Sequence, residues 1–498
     1  MTKRNLQVRV AALILGAIIS ATPGFTFQNF RALPESKRPR SAKDIILSFA
    51  RRGTLQRTAR PLPMTASPSS SCGAPLGGVL IALLVSPQPV KIPVGLYRQF
   101  SATGVYSDGS TQDLSESVKW ASSNGFVASI DATGKAQVRA AGASVIRASI
   151  GTLSDSTSIT GFNLIATHVY VDNAEASGLN GMANLDVLIS GGLNADTQVE
   201  MGGVMPSAPA LSPAQNFVYV PNSDNQIETF SVNQTTGVLN VLPSIQPTGN
   251  VPVATAINGP KNTIYTVNIG SNDISAYRMN KVFGTLTPLP GSPFAAGDMP
   301  DAMVVDPSGQ HAYVANMNAN TVSIYTMNPN VPGALVHMSD QPLPGIMPVT
   351  MAIDVTGSFL YVVEDGTNDV AAFRIDGSNG SLAPVPGSPF AAGSYPFSIA
   401  VDPSGSYAYI EAYGFILGYS INPANGALTS IGSFNVNEDV NSIIIDPSGH
   451  YLYTADWQFG PTPGDMETLA INPISGALTF VQQMPFNGYP GNMAVLAH

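Results

Sequence analysis

The sequence predicts an all-β protein: a seven-bladed β-propeller preceded by a small Ig-like β-sandwich and a disordered, signal-bearing N-terminus. Two observations carry most of this. A three-residue motif (apolar, Tyr, then Val, Ile or Thr) recurs at Tyr170, Tyr219, Tyr265, Tyr313, Tyr361, Tyr409 and Tyr453, with spacings of 49, 46, 48, 48, 48 and 44 residues. Ahead of it, short alternating segments separated by turn clusters occupy about 80 residues. Composition agrees. The 498 residues include Gly 47 and Pro 40, while only 11% are charged, against about 25% in an average globular protein. Turns and uncharged polar surfaces suit exported all-β proteins.

From the N-terminus, Lys3, Arg4 and Arg9 precede the apolar run Val10–Ile19, then Ser20, Ala21 and Pro23. This pattern predicts a secretory signal peptide over 1–24. The run is too short to span a bilayer, so no membrane span is expected after its removal. Residues 25–79 are largely basic and Ser/Pro-rich without periodicity, which predicts a disordered linker. The single cysteine, Cys72, excludes an intrachain disulfide. Its context, Ser71-Cys72-Gly73, leaves lipidation open, and Met64 leaves a later start open.

The next unit is predicted over 80–162. Leu80–Val85, Gln99–Tyr106, Val118–Ser122, Val127–Ile130, Ala136–Ala140 and Ser144–Ile150 read as strands. Asp108-Gly109, Asn124-Gly125 and Thr133-Gly134 fall between them as turns. About seven such strands predict an Ig-like sandwich, with Trp120 in its core. The stretches Tyr106–Leu114 (YSDGSTQDL) and Val118–Asn124 (VKWASSN), with Val127-Ala128 and Gly142, resemble the bacterial Ig-like domains of group two. That resemblance implies a spacer or adhesion module.

The propeller is predicted over 163–498. Asp306-Pro-Ser-Gly309, Asp354-Val-Thr-Gly357, Asp402-Pro-Ser-Gly405 and Asp446-Pro-Ser-Gly449 each begin seven residues before a marker Tyr. Gly-Ser-Pro-Phe-Ala-Ala-Gly occurs at 291–297 and again at 387–393, two periods later. Ala302–Val305, His311–Ala315, Thr321–Met327 and Ala334–His337 show four strands within one period, which is a propeller blade. The chain ends in a strand like the innermost one of a period, whereas the first period starts at its second strand. The last strand, within 489–498, should therefore complete the first blade and leave no free edge. Tyr313-Val-Ala-Asn316 and Tyr219-Val-Pro-Asn222 resemble the YVTN-type repeat. The Gly-Ser-Pro-Phe, Asp-Pro-Ser-Gly and Asn422–Leu428 (NPANGAL) blocks resemble the lactonase-like seven-bladed propellers. That resemblance implies a possible lactone hydrolase of the 6-phosphogluconolactonase type, but the matching residues are turn and strand residues and carry no catalytic group.

Charge narrows the ligands. Residues 167–498 hold 4 Lys/Arg and 25 Asp/Glu, a net of −21, whereas residues 1–63 carry a net of +10. The propeller should repel nucleic acid. Its four cations, Lys261, Arg278, Lys281 and Arg374, lie outside the predicted pocket loops, which counts against a phosphosugar. His168, His311 and His450 start second strands and are read as exposed edge positions, and no histidine-centred triad is visible. Three residues past each marker Tyr stand Asn173, Asn222, Asn268, Asn316, Glu364, Ala412 and Asp456. All but Ala412 could place oxygen atoms around the axis, as a polar rim for a sugar, peptide or Ca²⁺, or could stabilise tight turns. No other cofactor is expected. The sequence favours an exported, monomeric binding or interaction scaffold for a small molecule, glycan or protein ligand. Lactone hydrolysis is the alternative.

Overall fold

The computed structural model describes residues 78–498 apart from 95, 163–165, 175–179, 189–190, 202–204, 438–439, 457–463, 487 and 498. The predicted signal peptide, nearly all of the linker, and Cys72 lie outside the described residues. Every regular element among the described residues is a β-strand, and no helix among them is long and apolar enough to cross a membrane.

Ten strands between Leu80 and Phe162 form the N-terminal unit, in three small sheets. Leu83, Val85, Ile92, Phe100, Trp120, Ile146 and Ile159 fill its core. Trp120 is 8% exposed, and its indole N–H donates to the Ser115 carbonyl at 2.9 Å. Sequence reading misses the ten-residue strand Leu153–Phe162, whose Ser/Thr-rich text hides an alternation that buries Thr157, Ile159 and Gly161.

Seven sheets follow, each with four strands in series; in the third and fifth, Phe294–Ala295 and Phe390–Ala391 add a short fifth strand. The strand Tyr489–Ala497 pairs with Ala166–Ala174 and is the innermost strand of the first blade, so the ring closes on itself. The marker tyrosines sit in second strands that are buried along their length, as in His311–Asn316 and Phe359–Glu364. Their hydroxyls explain the choice of Tyr over Phe. Tyr313 donates to the carbonyl of Gly380 (2.9 Å), in the outer turn of the next blade. Tyr170, Tyr265, Tyr361 and Tyr409 do the same to Gly237, Gly333, Gly426 and Gly476. One side chain thus buries a ring inside its own blade and satisfies a carbonyl of its neighbour.

The Asp-Pro-Ser-Gly turns are self-contained caps between first and second strands. In the fourth blade one oxygen of Asp306 accepts the amides of Gln310 (2.8 Å) and His311 (3.0 Å), and the other accepts the Ser308 hydroxyl (2.6 Å). Gly309 takes φ +67°, which a side chain would strain. The adjoining histidines are not at exposed edges, contrary to the sequence expectation. His168 and His311 are 8% and 4% exposed, because Gly237 and Gly380 of the next blade pack flat against their rings.

Candidate axial binding site

Each inner strand begins where its blade meets the axis. In six blades that start holds a proline: Pro206, Pro252, Pro300, Pro348, Pro396 and Pro490, with Val440 in the seventh. These residues pair in order with Asn222, Asn268, Asn316, Glu364, Ala412, Asn173 and Asp456. The recurring ring of the sequence analysis is therefore the backbone partner of the inner-strand start.

The structure places that ring beneath the mouth of the channel. Asn173, Asn222, Asn268, Asn316, Glu364 and Asp456 are each no more than 2% exposed. A glycine of the loop entering the next inner strand lies directly over several of them: Gly249 over Asn268, Gly297 over Asn316, Gly345 over Glu364 and Gly488 over Asn173. Most of their polar atoms are engaged, whereas Oδ1 of Asn268 and Oε2 of Glu364 are buried with no hydrogen-bond partner among the described residues. Asn316 accepts the Gly297 amide (3.1 Å) and donates to Ser323 (2.8 Å). Glu364 accepts the Gly345 amide (2.9 Å), and burial, then Asp369, raises its carboxyl to about 8. Asn222 donates to Glu228 (3.0 Å), and Asn268 to Asp273 (2.7 Å) and Ser275 (2.9 Å).

The residue after each inner-strand proline forms the wall instead. Opposite the second strand it is a bulge: the register slips between Pro252 and Ala254, Pro300 and Ala302, Pro348 and Thr350, and Pro396 and Ser398. The extra residue is pushed out of the ladder. Val253, Asp301, Val349 and Phe397 occupy that place, with Ser207 and Asn441 in the second and seventh blades. All six line an axial cavity of about 190 Å³, together with Asp172, Thr350, Ser398 and Asn492 among others. The bulge is braced from behind. Val251, Met299, Met347 and Tyr395 take left-handed φ of +59°, +53°, +58° and +55°. Their amides donate to Asn225 (2.7 Å), Asn272 (2.9 Å), Asn320 (2.8 Å) and Asn368 (2.7 Å) of the preceding blade. Strain of this kind persists only where neighbours over-determine it.

The wall mixes apolar and polar side chains with two carboxyl groups, and among the described residues no Lys, Arg or His lines the cavity. Asp172 is 4% exposed and packs against Gly491, where a Cβ would collide with its carboxylate. Burial raises it to about 8, opposed by hydrogen bonds from Asn492, Gly491 and Ala208. Asp301 is partly open to the channel but walled by protein, and burial raises it to about 7. Arg278 and Arg374 are spent elsewhere, on the carbonyls of Pro332 (2.6 Å) and Ala424 (3.4 Å) in neighbouring outer turns. Among the described residues no group of three or more His, Cys, Asp or Glu side chains stands together as a metal site.

Seven closed blades around a narrow polar channel, joined to an Ig-like unit, define a two-module β-protein with its candidate site on the propeller axis. Comparison with known proteins makes the class specific. Residues 194–297 and 283–399 match the family model "Lactonase, 7-bladed beta-propeller", and residues 83–160 match "Bacterial Ig-like domain (group 2)". The chain joins a group 2 bacterial Ig-like domain to a lactonase-like seven-bladed propeller. A putative 6-phosphogluconolactonase from Bacteroides uniformis superposes with a TM-score of 0.58 at 19% identity, over 66% of this chain and 100% of that one. The periplasmic gluconolactonase PpgL of Pseudomonas aeruginosa gives 0.57 at 16% identity, over 67% and 99%. At such identities the likeness shows the fold alone. Ice-binding protein 1 of Shewanella frigidimarina is 45% identical over 84 residues, 17% of this chain. The chain spans 9% of the length of that curated relative.

Proposed function

We propose that the propeller is an exported binding module for an uncharged, hydroxyl-rich small ligand, a sugar or a neutral lactone, held in the axial cavity. The observation that carries this reading is the wall itself. Ser207, Thr350, Ser398, Asn441 and Asn492 offer hydrogen bonds, Phe397, Val253 and Val349 offer apolar faces, and Asp172 and Asp301 are the ionisable groups of the lining. A phosphorylated ligand would meet two carboxyl groups and no cation there, so its charge would go unpaired in a desolvated site. In this reading the buried ring from Asn173 to Asp456 holds the loops that carry the mouth, and Ca²⁺ has no necessary part.

Hydrolysis of a neutral lactone is the second reading. What favours it is the pair of carboxyls raised to about 8 and 7, values suited to proton transfer near neutral pH. One experiment separates the readings. A panel of neutral and phosphorylated sugars and lactones is titrated by calorimetry, and the lactones are also assayed for ring opening, with parent and Asp301→Asn. Heats with neutral ligands, and none with phosphorylated ones, are expected. Ring opening abolished in the variant would favour the enzyme. Binding confined to phosphorylated ligands would overturn both.

A further inference from the structure

We infer that the Ig-like unit is a fixed base for the propeller, docked through a buried arginine on the face opposite the mouth of the axial cavity. Arg98 belongs to the Ig-like strand Tyr97–Gln99 yet is only 3% exposed. Its guanidinium donates to the carbonyl of Ser404, 306 residues away, in the sixth-blade Asp-Pro-Ser-Gly turn. A Cβ on Gly405 would lie 2.1 Å from the same guanidinium nitrogen, so the turn glycine leaves the space it enters. Asp354 and Asp402, the capping carboxylates of the fifth- and sixth-blade turns, are the charges that face it and offset the burial of its own.

The contact is broader than one side chain. Ser406 donates its hydroxyl to the Tyr97 carbonyl (3.3 Å). Lys135 donates to the Ile474 carbonyl (2.9 Å) in the outer turn of the seventh blade, while its ammonium stands 5.1 Å over the Tyr97 ring. Leu96 packs against Gly449, the turn glycine of the same blade. Three consecutive blades are thus engaged. A buried guanidinium held by the Ser404 carbonyl and faced by two carboxylates is costly to relocate, which ties the two units together.

The polarity of the inner strands then sets the direction. All run the same way around the ring, from the cavity end, as at Pro396, to the Asp-Pro-Ser-Gly end, as at Val401. The Ig-like contacts fall on the turns that follow these strands or, at Ile474, on an outer turn at the same end of its blade, and the cavity is lined by residues that begin the inner strands. About 17 Å of strand separates the two faces. A chain anchored or extended through its N-terminal side would present the mouth outward.

The test uses the full chain carrying Cys72→Ser, with spin labels on cysteines at Phe126 in the Ig-like unit and Val282 in the propeller. Both sites are exposed, at 90% and 72%. A narrow distance distribution in the parent is expected, and a broad one in Arg98→Glu. Ser406→Trp, which wedges an indole against Tyr97 from the propeller side, should broaden it as well and carries the test if the arginine variant fails to fold. A broad distribution in the parent, or a narrow one unchanged in the folded variants, overturns the inference. Because the readout is a distance, the result does not depend on which ligand the cavity takes.

Discussion

Replacing Tyr313 by Phe removes one oxygen atom and isolates the contribution of the inter-blade hydrogen bond. The ring stays buried, since Tyr313 is 0% exposed, and the apolar packing is retained. What is lost is the bond to the carbonyl of Gly380 (2.9 Å), a buried residue that ends an otherwise exposed turn. Leaving a buried acceptor unsatisfied costs about 1–3 kcal/mol. The ring supplies its own control. The hydroxyls of Tyr219 and Tyr453 are buried and make no hydrogen bond among the described residues. In Tyr219→Phe nothing is unpaired and a buried, unsatisfied hydroxyl is removed, so stability should be unchanged or rise by up to about 1 kcal/mol. Urea unfolding of the two variants beside the parent reads the difference: Tyr313→Phe should move the midpoint down, and Tyr219→Phe should not. Equal destabilisation of both would refute the claim that Tyr recurs for its hydroxyl and would assign the motif to ring packing alone.

Two further predictions concern closure and charge. Deleting residues 489–498 removes the inner strand of the first blade with buried Met493, Ala494 and Leu496, and exposes the edge of Ala166–Ala174. The loss should exceed about 4 kcal/mol, and a thermal melt matching the parent would disprove closure through that strand. Asp172 is raised by burial to about 8 from the ordinary carboxylate value. The folded state therefore holds its proton where the unfolded chain does not. Its contribution is complete below about pH 4 and is lost as pH rises toward 8, on the order of several kcal/mol. Asp172→Asn should flatten that decline and melt above the parent at pH 9; a parent-like decline in the variant would show that Asp172 is not its source.

The architecture was legible because it repeats. Every marker Tyr buries its ring, five of the seven also bond the next blade, and each Asp-Pro-Ser-Gly closes one kind of turn, so the same physical demand writes the same residues at a period near 48. The terminal strand was legible for the same reason, since Tyr489–Ala497 has the text of an inner strand without the three that should follow it. Leu153–Phe162 was not, because a Ser/Thr-rich strand has too weak an apolar alternation to stand out. The burial of His168 and His311 was also hidden, because it depends on glycines of the next blade, about 70 residues away in the chain.

The site is harder to read for a reason that follows from the same repetition. The ring from Asn173 to Asp456 attracts notice because oxygen-bearing side chains recur there. Several of them satisfy the amide of a loop or a neighbouring hydroxyl, as Asn316 does for Gly297 and Ser323 and Glu364 does for Gly345. A position under a constant structural demand shows a constant chemistry. The next residue along the inner strand is under no such demand: the bulge ejects it toward the axis, and its side chain answers only to what occupies the channel. Hence Ser207, Val253, Asp301, Val349, Phe397 and Asn441 include five residue types over six blades, and in the proposed reading they set the selectivity. The marker that locates them is also in the sequence, as the residue after a proline in Met205-Pro206, Val251-Pro252, Met299-Pro300, Met347-Pro348 and Tyr395-Pro396. In the proposed reading the recurring positions serve the fold, and the residue after the inner-strand start, a proline in six of the seven blades, meets the ligand.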